Sequence, residues 1–197
     1  IVPIYHPQTF TLSNTNFTYN GKEEKPIVSI KDTQGNIIDS SNYTITYSSG
    51  CKNVGTYKAI VTFKSKYEGT KELSFKINKA TYDMSKVKFE NKSVTYNGKN
   101  QSLKATGLPT GVKVTYTNNG KINIGTYKII ANFVGDNTRY NAIPSKTVTL
   151  TIKAKKLDNN TITFGIKDKT YTGKNIKQTF TIIEGTNILK EGKDYTL

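Results

Sequence analysis

Asn123-Ile124-Gly125-Thr126-Tyr127-Lys128-Ile129-Ile130-Ala131-Asn132-Phe133 decides the fold, because the chain holds a near copy of it. The copy is Asn53-Val54-Gly55-Thr56-Tyr57-Lys58-Ala59-Ile60-Val61-Thr62-Phe63, 70 residues earlier. In each, a glycine opens a run of alternating character. Side chains on a strand point to opposite faces in turn, so Tyr127, Ile129, Ala131 and Phe133 share one face. Tyr57, Ala59, Val61 and Phe63 do the same. The expected element is a half-buried strand at the centre of a repeated β unit.

A second landmark brackets each unit. Thr-Tyr-x-Gly-Lys occurs as Thr18-Tyr19-Asn20-Gly21-Lys22, Thr95-Tyr96-Asn97-Gly98-Lys99 and Thr170-Tyr171-Thr172-Gly173-Lys174. Its tyrosines lie 77 and 75 residues apart. Repetition at such a period is the signature of an array. In the first copy, Phe10 and Leu12 open a strand, 26–31 form another, and Tyr43, Ile45 and Tyr47 alternate with threonines. Leu73, Phe75 and Ile77 close the unit. In the second, Val87 and Phe89 answer Phe10 and Leu12, Leu103 and Ala105 begin a strand, and Val112, Val114 and Tyr116 alternate. Val148, Leu150 and Ile152 close it. The third copy follows the first at a constant offset of 152, pairing Tyr19 with Tyr171, Ile30 with Ile182 and Tyr43 with Tyr195. It stops at Leu197, before an organising strand of its own. The expectation is a fragment whose third unit is cut short, completed by residues after Leu197, ended at a cut boundary, or completed by a strand from a neighbouring chain.

These landmarks divide the chain into residues 1–78, 79–153 and 154–197. The joints, Asn78-Lys79-Ala80 and Lys153-Ala154-Lys155, are short and poor in Gly, Ser and Pro, which predicts a semi-rigid rod. No stretch has helical periodicity with caps; Asp83-Met84-Ser85-Lys86 is too short. The fold class is all-β: about two and a half tandem small Ig-like β-sandwich units, with five to seven short strands each.

The 197 residues carry 29 Lys+Arg against 14 Asp+Glu, a net charge of +15. The excess is spread out, as +4, +7 and +4 over residues 1–79, 80–152 and 153–197. Scattered charge of this kind is mostly solvated lysine on outer strand faces. A nucleic-acid binder needs a clustered basic stripe with exposed aromatics, so no specific nucleic-acid partner is expected. There is no start Met, signal peptide or apolar run near ~18 residues, so no membrane insertion is expected in this segment.

One Cys and one His exclude an internal disulfide and a Cys/His zinc site. His6 and Cys51 lack an apparent orienting third group for nucleophilic catalysis. Glu23 and Glu24, as neighbours on a strand, would face opposite ways. Asp32, Asp136 and Asp158 sit in turn-rich stretches without a calcium-loop series. Gly107-Leu108-Pro109-Thr110-Gly111 is a turn, since no Gly-Lys-Ser/Thr follows. A Lys–Asn isopeptide crosslink needs an inward lysine, and the inward lanes hold none. Tyr19, Tyr96 and Tyr171 offer rings for stacking sugars, but one recurring position points to packing beside the turn instead. No catalytic, cofactor or metal residues are assigned, no ligand-binding residues can be named, and no cofactor is expected.

The landmarks resemble tandem Ig-like modules of bacterial cell-surface and secreted proteins. The first and third copies resemble them through Tyr19-Asn20-Gly21-Lys22, Asn42-Tyr43-Thr44, Asn53-Val54-Gly55-Thr56 and Asp194-Tyr195-Thr196. The second is similar to the MBG-type module through 94–99 and 123–127. A compact β-grasp-like unit is the alternative fold; the absence of a crossover-helix pattern favours the sandwich. The resemblance implies a non-catalytic extracellular spacer of a Gram-positive adhesin-like protein, its partners the neighbouring domains of the same polypeptide. The alternative is a module for glycans or polyanions, such as mucin or wall polymer, on the basic second unit.

Overall fold

A computed structural model describes residues 7, 9–158, 162–176, 180–192 and 194–195. The fold is all-β, as the alternation predicts. Among the described residues the only helical piece is a 3₁₀ turn at Ser40–Asn42, capped by the Asp39 carboxylate, which accepts from the Ser41 amide at 2.9 Å.

The first part holds six strands: β1 (Thr9–Leu12), β2 (Asn16–Thr18), β3 (Val28–Lys31), β4 (Tyr43–Tyr47), β5 (Gly55–Phe63) and β6 (Thr70–Asn78). They form a two-stranded sheet, β1-β3, and a four-stranded sheet, β2-β6-β5-β4. The chain changes sheet between β1 and β2. There the Ser13 hydroxyl accepts from the Ile27 amide, and the Ser13 amide donates to Ile27 oxygen. The change of sheet lets β2 lie parallel to β6 although neighbouring ladders are antiparallel. The two inner faces meet in a core of Val28, Ile30, Ala59, Val61 and Phe63. That is the inward lane read from the sequence, now shut off from water: Ala59 and Val61 are fully buried.

The middle part repeats the four-stranded order with β7 (Lys92–Thr95), β8 (Lys113–Thr117), β9 (Gly125–Val134) and β10 (Lys146–Lys153), arranged β7-β10-β9-β8. β7 runs parallel to β10, as β2 does to β6. Even the register recurs: Gly55 faces Ile77 and Gly125 faces Ile152. Its core joins Ile129, Ala131, Phe133, Leu150 and Ile152 to Phe89, Leu103 and Ala105.

Here the sequence reading needs correction. Val87, Phe89, Leu103 and Ala105 lie outside the strands, so this part has four strands rather than five to seven. The counterpart of the β1-β3 ladder shrinks to one bridge, Lys88 to Thr106. Side chains take over the missing backbone pairing. Asn119 accepts from the Leu103 amide at 3.0 Å and donates to Leu103 oxygen at 2.8 Å, and the Tyr116 hydroxyl accepts from the Ala105 amide at 2.7 Å. Apolar residues that need burial are thereby anchored without a strand.

The last part forms one antiparallel sheet of β11 (Ile162–Ile166), β12 (Phe180–Glu184) and β13 (Asn187–Leu189), in that order. No helix among the described residues is long and apolar enough to cross a membrane.

Candidate functional site

The reactive candidates are dispersed. His6 lies outside the described residues. Cys51 is buried at 1 % exposure in the loop before β5, and its thiol donates to Ser48 oxygen at 2.8 Å. Burial, and secondarily the charge of Glu23, push its pKa up, which disfavours the thiolate needed for nucleophilic chemistry. Glu23 and Glu24 lie in a loop, not on the expected strand. Glu23 pairs with Lys25 at 3.0 Å, and Glu24 accepts from Asn20 at 2.6 Å.

Asp32 and Asp136 are turn-formers. Asp32 accepts from the Gln34 and Asn36 amides, each at 2.9 Å. Asp136 accepts from the Thr138 amide and hydroxyl and pairs with Arg139 at 3.3 Å. The Asn36 amide bond on Asp32, and the Thr138 hydroxyl on Asp136, hold both carboxylates below their ordinary pKa. Asp158 is exposed after β10. Among the described residues no three His, Cys, Asp or Glu gather as a metal site, and no charged side chain is buried. Gly107 is structural: with φ +72° it passes so close to the backbone of Lys86 that a Cβ would sit 2.1 Å from Lys86 oxygen.

The three landmark tyrosines are not equivalent. Tyr19 and Tyr96 are partly buried and share one backbone contact: their amides donate, each at 2.8 Å, to Asn78 and Lys153 oxygens at the ends of β6 and β10. Their rings do different things. Tyr19 meets Tyr140 edge-on at 5.8 Å and lies under the Arg139 guanidinium at 5.9 Å. Tyr140 in turn stacks on Tyr82 at 4.1 Å. The ring of Tyr19 therefore packs at the joint between the first and middle parts, rather than within one core. The connection between β9 and β10 carries no periodic signal, so the sequence alone does not reveal this cluster.

Tyr96 instead borders an open cleft of about 660 Å³ between the middle sheet and the β12-β13 hairpin. Its hydroxyl lies 3.5 Å from Asp194 Oδ1. Asn97 and Asn187 also line the cleft, and Lys155 and Glu184 pair across it at 2.7 Å. Lys155 offsets the Glu184 carboxylate, so the cleft offers hydrogen-bonding groups, one ring and the Asp194 carboxylate. Tyr171 is 78 % exposed. Asp194 lies in the Asp-Tyr-Thr motif read from the sequence, but that motif did not show that it meets Tyr96, nearly a hundred positions away.

The other recurring feature of the two central strands is also architectural. Tyr57 and Tyr127 each fold their ring back over the glycine two residues before. Their hydroxyls donate, each at 2.9 Å, to Asn53 and Asn123 oxygens. A Cβ on Gly55 would lie 3.2 Å from the Tyr57 hydroxyl, and one on Gly125 would lie 2.9 Å from that of Tyr127. The Asn-x-Gly-Thr-Tyr pattern is a corner that fixes how the chain enters its central strand.

No curated protein matches the chain. Residues 85–156, which hold β7 to β10, match the family model of the MBG domain, a module type of surface proteins compatible with a non-catalytic structural role. The middle segment of the chain is similar to the MBG-type module.

Proposed function

We propose that the chain is a run of non-catalytic spacer units, at 1–78, 79–153 and 154–197, from an extracellular adhesin-like surface protein. Its task is to hold neighbouring domains of the same polypeptide away from the cell surface. The observation that carries this reading is where the repeated residues are spent. Tyr57 and Tyr127 close corners over Gly55 and Gly125, and Tyr19 packs at the first joint. The first joint supports it further. Ala80 donates to Arg139 oxygen and accepts from the Asn141 amide, while Lys79 Nζ donates to Asn137 oxygen. A joint tied on both sides transmits direction, which a spacer needs and a flexible tether lacks.

Small-angle X-ray scattering tests the reading through shape. A spacer gives an elongated particle at low and at high salt. A collapsed particle would refute it. Glycan-array and heparin binding, titrated with salt, test the alternative. Saturable binding to one glycan class at physiological salt would move the function from spacing to recognition.

A further inference from the structure

β4 is the outer strand of the first four-stranded sheet, and among the described residues only β5 pairs with it. The Lys64 amide donates to Asn42 oxygen, and the Ser48 amide donates to Lys58 oxygen. Backbone bonding alternates along an antiparallel pair, so Thr44 and Thr46 also bond to β5. The amides and oxygens of Tyr43, Ile45 and Tyr47 therefore point away from the sheet. The Tyr43 amide is already used, donating to Ser40 oxygen in the 3₁₀ turn. Those of Ile45 and Tyr47 meet no strand among the described residues. The Tyr47 hydroxyl donates to Pro26 oxygen at 2.7 Å, and Tyr43 meets Phe63 edge-on at 6.1 Å. Both rings thus stay on the inner face and leave the edge clear.

Open edges invite pairing, and a lysine on the edge is a common guard against it. Among the edges of the two four-stranded sheets, β7 and β8 carry Lys92 and Lys113, and β2 has only 3 residues. β4 has 5 residues and no charge, in a chain of net charge +15. Its sequence also reads the same in both directions about Ile45, as Tyr43-Thr44-Ile45-Thr46-Tyr47, and Ser41 and Ser49 extend the symmetry. A two-fold contact sets one surface against itself. Two β4 strands paired antiparallel about Ile45 place Ile45 opposite Ile45, Thr44 opposite Thr46 and Tyr43 opposite Tyr47. Like side chains meet in every row, and no like charges do. The centre of symmetry falls on a residue whose amide and oxygen face outward, so the groups it presents are the ones free to pair.

We propose that β4 is a homotypic docking edge, and that its occupant is β4 of a second copy of this chain, paired antiparallel about a two-fold axis at Ile45. Each Ile45 amide donates to Ile45 oxygen of the other copy, and each Tyr47 amide donates to Tyr43 oxygen of the other copy. The two four-stranded sheets become one continuous sheet. A contact made by one short strand a side is small, so the dimer is weak and depends on concentration. It gives the first unit a task beyond spacing, which is to hold a second molecule of its own kind.

Sedimentation velocity of the full chain over a concentration series reads the association, and amide hydrogen exchange reads its place. A reversible dimer is expected, with the Ile45 and Tyr47 amides gaining protection as concentration rises. Thr44→Lys combined with Thr46→Lys sets ammonium groups opposite one another across the axis and should raise the dissociation constant at least about tenfold. Thr44→Glu combined with Thr46→Lys sets a carboxylate opposite an ammonium group in both rows and should leave the dimer as tight or tighter. Both positions are exposed, so the unit keeps its fold, and unchanged exchange protection in β5 checks this. The proposal is overturned by a chain that stays monomeric up to about 1 mM. A dimer that both double variants weaken alike, or that neither weakens, overturns it too. So do Ile45 and Tyr47 amides as protected in the monomer as those of β5, since the chain would then cover this edge itself.

Discussion

At Gly125 the backbone takes φ +155° and leaves room for the ring of Tyr127, whose hydroxyl closes back on Asn123 oxygen at 2.9 Å. Two losses can be separated there. Tyr127→Phe keeps the ring and removes one hydrogen bond, so the middle module should lose about 1 kcal/mol in urea unfolding. Gly125→Ala puts a methyl group into the ring as well and should cost more than Tyr127→Phe; an equal or smaller loss would show that the ring is free to move aside. Cys51 gives a pH prediction. Its thiol pKa is raised in the fold, first by burial and then by Glu23. Below the unfolded thiol value of about 8.5 both states hold the proton and the contribution to stability is complete. As pH rises from there towards the raised folded value, the unfolded state releases its proton first and stability falls. Cys51→Ser should flatten the alkaline limb of a stability-against-pH curve, and a limb that stays equally steep would exclude the thiol as its cause.

Asn119 does at the level of elements what a strand would do, holding Leu103 by both its amide and its oxygen. Asn119→Ala strands two backbone groups beside a side chain only 6 % exposed, so a loss of about 1–3 kcal/mol is expected. Loss of exchange protection at the Leu103 amide should accompany it, while β9 and β10 stay protected. This substitution marks the limit of sequence reading. β5 and β9 were legible because alternation over nine and ten residues has no competing explanation. Residues 87–89 and 103–105 show the same alternation, and their apolar members are indeed buried or partly buried. What alternation does not encode is the origin of the hydrogen bonds, and there an asparagine and a tyrosine replaced a ladder. The landmark tyrosines were half legible for a related reason. Recurrence marked them as structural, but whether each ring meets Tyr140, a cleft or water depends on a loop that carries no pattern.

At the scale of the whole chain, the two joints contrast. The first is closed by an edge-on contact of Tyr19 with Tyr140, a stack of Tyr140 on Tyr82 and a parallel bridge between Ala80 and Tyr140. The second has an ion pair, Lys155 to Glu184, beside an open cleft. Aromatic contacts contribute roughly 0.5–1.5 kcal/mol each beyond area, whereas partly exposed ion pairs contribute about 0–1 and are screened by salt. The first joint should therefore keep its geometry at high salt and the second should loosen. Tyr140→Ala removes both ring contacts while leaving the core residues of each four-stranded sheet in place. Residual dipolar couplings read this directly. In the unaltered chain one alignment tensor should fit amides of both β5-β6 and β9-β10, at low and at high salt. In Tyr140→Ala the two hairpins should require different tensors, with each sheet's own exchange protection preserved. A single tensor surviving in the variant would mean that the backbone bonds of Ala80 alone fix the joint, and that the recurring tyrosine contributes nothing to the stiffness a spacer requires.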